Sequence, residues 1–305
     1  MFTGFFIPAG GASVHYPDGS ITTEMIGNMA SGAPVIDQSL DASSIYISGM
    51  VGGSYAVNEM ISIAAGIRYV NAENRIKGEA TGASGTVNVD IAETADGFSG
   101  VIGINITPLP ELNIGMRYET ITIMKFETEV KEDTTGLGMF TDGEKNRNDI
   151  PAVFAVGAMY TLTPDLALEA DFNYYFQTQA DWGKDDDGDD YSRHAGDSFM
   201  TGAAIIYKVN RKITASAGIT YSVFLWENQD AYYTKLGAYE TLYGDNLAIM
   251  AGAAVEVADG IRLNLAYSYT WWMDDSLTFT TLAGDLNVKT SNSAHALAVG
   301  ADCRF

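Results

Sequence analysis

One cysteine, Cys303, stands in a chain of 305 residues. No disulfide can form within the chain, and cysteine usage does not point to a compartment. Cations are scarce: Lys and Arg number 17 against 39 Asp and Glu, a formal net charge of −22 at pH 7. A nucleic-acid partner is therefore not expected, because neutralising phosphate takes clustered Lys and Arg. The sequence has no run of apolar residues long enough for a membrane-crossing helix. Histidine is limited to His15, His194 and His295, in distant segments with no evident Ser or Asp partner. No nucleophile–base arrangement is visible, so neither enzymatic chemistry nor a cofactor is expected. The acidic stretch 184–190 lacks the first ligand and the closing Glu of a calcium-binding loop, and a metal is not expected there. The first residues carry no basic segment and no cleavage site, so the chain is expected either to be a mature or trimmed form or to lack its amino-terminus.

What is abundant is Gly, at 32, with Tyr at 17 and Phe at 13, and a mean hydropathy of +0.01. That balance fits a soluble protein, and equally a barrel whose outer and inner residues cancel. The patterning is a strict two-residue alternation, the period of a β-strand. Over 166–177, Leu166, Leu168, Ala170, Phe172, Tyr174 and Phe176 oppose Ala167, Glu169, Asp171, Asn173, Tyr175 and Gln177. The same alternation runs through 212–225, 261–273 and the last residues, 293–305, which end on Phe305. These runs exceed the ~5–6 residues of ordinary strands and suit a tilted membrane strand of about 9–11. Twelve such segments are predicted, at about 3–15, 43–57, 59–75, 86–107, 111–127, 149–162, 165–178, 197–209, 211–225, 245–257, 260–273 and 293–305. The class is all-β: a transmembrane antiparallel up-and-down β-barrel, one domain over 1–305.

The connections sort by length. Short ones at 57–59, 108–111, 162–165, 209–211 and 258–260 carry Asn, Asp, Pro and Gly, the residues of tight turns. Long ones at about 16–42, 76–85, 128–148, 179–196, 226–244 and 274–292 alternate with them. Short turns at one end and long loops at the other are the pattern of the bacterial outer membrane, with the short-turn end periplasmic. Aromatic residues gather near strand ends, as at Tyr174, Tyr175 and Phe176 and at Tyr269, Trp271 and Trp272, where a membrane–water boundary would lie.

With the richer apolar face toward lipid, the other face lines an interior. It carries charge at Arg68, Arg117, Glu119, Glu169, Asp171, Lys212, Glu256, Arg262, Asp302 and Arg304. It also carries Met50, Met159, Tyr175, Met200, Phe224, Met250 and Trp272, a set that suits a flexible apolar ligand and forms the expected substrate path. Ile121 and Ile123 are placed on this interior face as well. In the first segment Pro8, Gly10 and Gly11 interrupt the pattern. Proline cannot donate to a ladder and glycines bend or bulge a strand, so a local break in pairing, and with it a side window, is expected there.

The stretches 149–174, 195–221 and 246–269 carry a likeness to a known family: Pro151 near a strand start, Gly157 and Tyr160 before a short turn, and a return strand ending in aromatics. In these the chain resembles the FadL-type outer-membrane transporters of long-chain fatty acids and other hydrophobic compounds, including the aromatic-hydrocarbon branch. The resemblance implies a fourteen-strand barrel behind an amino-terminal hatch, with the twelve segments here as strands three to fourteen and the hatch and first two strands without counterpart. It places Pro8–Gly11 at the kinked strand that opens the barrel sideways. It implies a monomer in the outer membrane of a diderm bacterium, in contact with its lipids and assembled by the barrel machinery through Phe305. The implied activity is passive transport of a fatty acid or other hydrophobic molecule, with lateral exit. A general diffusion porin, or a barrel fragment that does not transport, is the alternative.

Overall fold

A computed structural model describes residues 1–185, 187–236, 244–281 and 284–303. They form one antiparallel sheet of fourteen strands. In chain order these are β1 (Phe2–Tyr16), β2 (Val35–Ala56), β3 (Ile61–Gly82), β4 (Gly85–Leu109), β5 (Leu112–Glu119), β6 (Lys125–Asp133), β7 (Lys145–Arg147), β8 (Ala152–Thr163), β9 (Leu166–Phe176), β10 (Asp197–Lys208), β11 (Ile213–Leu225), β12 (Asn246–Ala258), β13 (Ile261–Thr281) and β14 (Gly284–Cys303). Twelve of them make a continuous up-and-down path, each beside its sequence neighbour, with β5 passing directly to β8. The short strands β6 and β7 lie off that path, β6 pairing with β4 and β7 with β6. Among the described residues β1 and β14 are the two ends of the path and do not pair with each other.

The alternation in the sequence becomes an outer and an inner face. On β3, Ile63, Ile67 and Tyr69 point out and are exposed, while Arg68, Val70 and Ala72 point in and are buried. Each outward residue continues a belt across the sheet: Tyr69 stands opposite Phe98 of β4, ring to ring at 5.0 Å. One residue pair further along, the outward positions turn polar, at Asn71 and Asp96. The boundary of the belt is thus marked by aromatic rings. On other strands it continues through Phe172, Tyr174, Phe176 and Phe199, whose rings meet at 4.9–6.4 Å. Tyr174 and Tyr221 reach past it with their hydroxyls to Asp197 and Asp245. Outward-facing tyrosines at the short-turn end, Tyr160 and Tyr207, mark the other edge. From Phe199 to Tyr207 is about 26 Å of strand at ~3.3 Å per residue, comparable with the ~25 Å apolar band of outer-membrane barrels.

The turns at 57–60, 110–111, 164–165, 209–212 and 259–260 lie at one end, and the helices and long connections at the other. Four of the expected long loops hold strands. The segment 128–148 contains the end of β6 and all of β7. Residues 76–82 with 85, and 274–281 with 284–292, are continuations of β3–β4 and β13–β14, in unbroken or once-shifted register. The segment 16–42 contains a helix, α1 (Ile21–Ser31), and the start of β2. The reason is that the strands run on beyond the belt into water, where the outward face becomes Glu73, Arg75 and Lys77 and the greasy signature of a strand is lost. Two further helices, α2 (Tyr191–Ala195) and α3 (Gln229–Leu236), complete this end.

The expected segment 111–127 is interrupted. Val101 faces Glu119 and Thr94 faces Glu127, so the 119–127 side holds one residue more than the β4 side. An extra residue of this kind exchanges the two faces of a strand. Glu119 is buried on the inner face, but beyond the insertion Thr122, Met124 and Phe126 are the buried ones, and Ile123 is 51% exposed on the outside. The expectation that Ile123 faces the interior is therefore corrected. The crossing is tight: a Cβ on Gly97 would lie 2.4 Å from the Ile123 carbonyl oxygen, so only glycine fits at that point of β4.

A candidate ligand cavity and the inner face

Helix α1 is held by local chemistry that the sequence spells out. Ser20 caps it, accepting from the Thr23 amide at 3.2 Å, while the Ser20 amide donates to Thr23 Oγ1 at 2.6 Å. Gly32 ends it in the left-handed conformation, φ 63°. The helix lies against β2 and β3 through Gly27, where a Cβ would come within 2.6 Å of Ala80 and Val35. Asn28 Oδ1 accepts from the Val35 amide at 2.7 Å and ties the helix end to the strand.

Between α1, the outer reaches of β1–β4 and the 135–140 segment lies a cavity of about 550 Å³. Met25, Ile26, Leu40, Ile76, Val87 and Phe140 are among its walls. Its ionisable lining residues are Glu79 and Tyr16, with no Lys, Arg or His. The sequence reading missed this site. Its walls are scattered over five segments, and three of these, 16–42, 76–85 and 128–148, read as plain loops.

On the far side α1 meets a second apolar cluster. Tyr233 of α3 is fully buried with Leu277 of β13, packed by Ile21, Met25, Trp226, Tyr232 and Val288. This cluster joins the helix that follows β1 to strands β13 and β14. The two ends of the sheet are thereby bridged at the long-loop end, and the wall curls into a barrel shape.

The seven residues expected along a substrate path, Met50, Met159, Tyr175, Met200, Phe224, Met250 and Trp272, share one face by register with Arg68 and Glu119. Tyr175 stands opposite Ser198, and Ser198 opposite Phe224. Met200 is opposite Ser222, Ser222 opposite Asn246, and Asn246 opposite Trp272. None is fully buried, and none lines the 550 Å³ cavity. They sit on an open inner surface, with Tyr175, Met200, Phe224 and Trp272 toward the long-loop end. Phe224 stacks on Trp226, 5.6 Å between centroids.

The expected interior charges are partly paired. Arg68, 5% exposed, forms an ion pair with Glu119 and donates to Ser99 Oγ at 3.1 Å and to Thr122 Oγ1 at 3.3 Å. Glu119 also takes Arg117 at 2.8 Å. The cluster clamps the point where β5 gives way to the inserted residue. Arg304 and Phe305 lie outside the described residues.

In β1 the pairing with β2 shifts twice. Phe6 faces Ser48 but Ala9 faces Tyr46; Gly10 faces Ile45 but Ala12 faces Ser44. Each step leaves one extra residue on β1, so two are extruded around Pro8, Gly10 and Gly11. Gly10 has φ 70°, and a Cβ there would fall 2.7 Å from the Ser44 carbonyl oxygen. As an end strand with one ladder partner, β1 also tolerates the missing donor of Pro8.

The histidines are not grouped. His15 contacts Asp41 at 2.6 Å on the surface, and His295 lies in the aromatic boundary against Tyr267 and Tyr269. His194 Nε2 is 3.1 Å from Asp185 Oδ2. Asp185 Oδ1 accepts from the amides of Asp187 and Asp189, which organises the turn before α2. Nearby, Arg147 binds Asp149 and reaches Asp181 at 3.2 Å; the hydrogen bond to Asp149 raises its guanidinium further above the ordinary arginine range.

Fold, belt and inner face together define a β-barrel of the membrane-spanning type. No family model matches the chain, and no curated protein does. Solved structures do. A Pseudomonas aeruginosa FadL homologue superposes with a TM-score of 0.70 at 14% identity, covering 99% of this chain and 74% of that one. The toluene transporter TodX of Pseudomonas putida gives 0.61 at 14% identity, with 99% and 78% covered. The toluene transporter TbuX of Ralstonia pickettii gives 0.59 at 14% identity, with 99% and 77% covered. The likeness extends over essentially the whole chain and establishes a shared fold.

Proposed function

We propose that this chain conducts hydrophobic small molecules across the bacterial outer membrane. The single observation that carries the reading is the apolar 550 Å³ cavity standing at the long-loop end, directly above the inner face of a barrel with an apolar belt. The fold shared with a FadL homologue and two toluene transporters supports it. The long-loop end is then extracellular. A molecule is captured under α1 by burial of apolar surface, at about 25 cal/mol per Å². It passes to the inner face at Tyr175, Met200, Phe224 and Trp272, which has Met50, Met159 and Met250 as its further apolar residues. It leaves sideways where β1 is kinked at Pro8, Gly10 and Gly11. No covalent chemistry is needed, and the chain acts as a monomer. A general diffusion porin would instead give a large, stable single-channel conductance in a planar bilayer; the reading here expects none.

Val87→Asp, which sets a carboxylate in the cavity wall, should weaken binding of the neutral fluorophore N-phenylnaphthylamine at least about tenfold, because an unpaired charge must be buried beside it. Trp272→Asp should leave that capture unchanged and lower uptake by cells. Unaltered fluorescence titrations for Val87→Asp would remove the cavity from the pathway.

Exit at β1 is tested separately. Gly10→Val is strained in the left-handed region and collides with Ser44, so the extruded turn must rearrange. Uptake of a labelled hydrocarbon is expected to fall at least about fivefold while cavity binding holds, since a closed wall blocks a step after capture. Undiminished uptake would exclude β1 as the way out.

A further inference from the structure

We propose that the cavity under α1 takes uncharged apolar molecules and rejects carboxylates, so that the cargo of this chain is a non-ionised hydrocarbon-like compound and not a fatty-acid anion. The inference rests on the reading of that cavity as the capture site, and it follows from what the walls offer a head group. No lining residue is a cation. The basic residues beside the cavity are turned away: Lys77 and Arg75 alternate with the lining residues Ile76 and Gly78 and so face outward, and Arg75 is bound to Glu73; Arg68, further along the inner face of β3 and not in the cavity wall, is paired with Glu119. His15 likewise points out, against Asp41. Glu79 borders the cavity but alternates with the inner residues Gly78 and Ala80, so it stands on the outward face with Lys77 and Arg75 and offers a head group nothing.

The polar groups in the walls are also committed elsewhere. Thr23 Oγ1 donates to the Ser20 carbonyl at 2.9 Å, inside the helix cap. Thr135 Oγ1 donates to Asp133 at 2.6 Å. A carboxylate entering here would give up its water and find neither a counter-charge nor these donors, whereas an apolar chain or ring loses nothing by entering. The whole chain adds to the discrimination: a net charge of −22 lowers the local concentration of anions at its surface.

The test uses the purified full chain in lipid nanodiscs and two probes of equal length, dodecan-1-ol and dodecanoate, each displacing N-phenylnaphthylamine. At pH 8 the alcohol should displace the fluorophore at a concentration at least about tenfold lower than the acid does, and the gap should narrow as the pH is lowered and the acid is protonated. Ile76→Lys, which sets a cation in the wall, should narrow it at pH 8 by improving the acid alone. Equal displacement by alcohol and acid at pH 8, or tighter binding of the acid, would overturn the selectivity. Displacement that is the same in Val87→Asp as in the wild-type chain would instead overturn the capture site on which the selectivity rests. The two failures are therefore distinguishable.

Discussion

Glu119→Ala should destabilise the folded barrel by about 3–5 kcal/mol, the usual cost of leaving one member of a buried ion pair without its partner. Arg68 would keep its hydrogen bonds to Ser99 and Thr122 but lose its carboxylate, in a site where its side chain is 6% exposed. The paired change Arg68→Met with Glu119→Leu should recover most of the loss, since neither charge remains to be desolvated. Arg117→Ala, at the half-exposed end of the same cluster, should cost no more than about 1 kcal/mol. Urea unfolding in detergent micelles, with the heat-sensitive gel mobility of folded barrels as a second readout, measures all of these. A single Glu119→Ala variant within about 1 kcal/mol of wild type would mean that the clamp at the β5–β6 insertion holds nothing in place.

Ala65→Arg is expected to cost about 2–4 kcal/mol in a bilayer, the penalty for a cation on the lipid face near the middle of the hydrocarbon. Ala65 is exposed, midway between Ile61 and the Tyr69–Phe98 boundary on the outward face of β3. Asn71→Arg, also outward but past the Tyr69–Phe98 ring pair, should change stability by less than about 1 kcal/mol, as expected near the interface. Folding titrations of the three chains into vesicles give the values. If the two variants proved equally mild, the outward residues would not be in contact with lipid, and the transport reading would fall with them.

Much of this was legible in the alternation alone. The positions of the strands, the separation of short turns from long connections, and the sharing of one face by Met50, Met159, Tyr175, Met200, Phe224, Met250 and Trp272 all follow from a period of two and where it stops. What stayed hidden has physical causes. Residues 76–82 and 284–292 are strands without a greasy outer face, because above the bilayer nothing requires one. Ile123 reads as interior because an inserted residue keeps the alternation on each side of it and changes only its phase. The cavity under α1 was invisible because its walls come from segments far apart in sequence, brought to a contact that only the fold creates. The cap of α1, by contrast, is written locally in Ser20, Thr23 and Gly32, and could have been found with closer attention to those three.

The inserted residue between Glu119 and Thr122 has a consequence for how this sequence can change. β6 carries Phe126, Thr128 and Val130 on one side and Lys125, Glu127 and Glu129 on the other. Removing a single residue just upstream would turn the strand inside out, sending three charged side chains against Val70 and Ala72 and a phenyl ring into water. Gains and losses in this stretch are therefore tolerable only in pairs, and the length of the crossing is held more tightly than the identity of most residues in it.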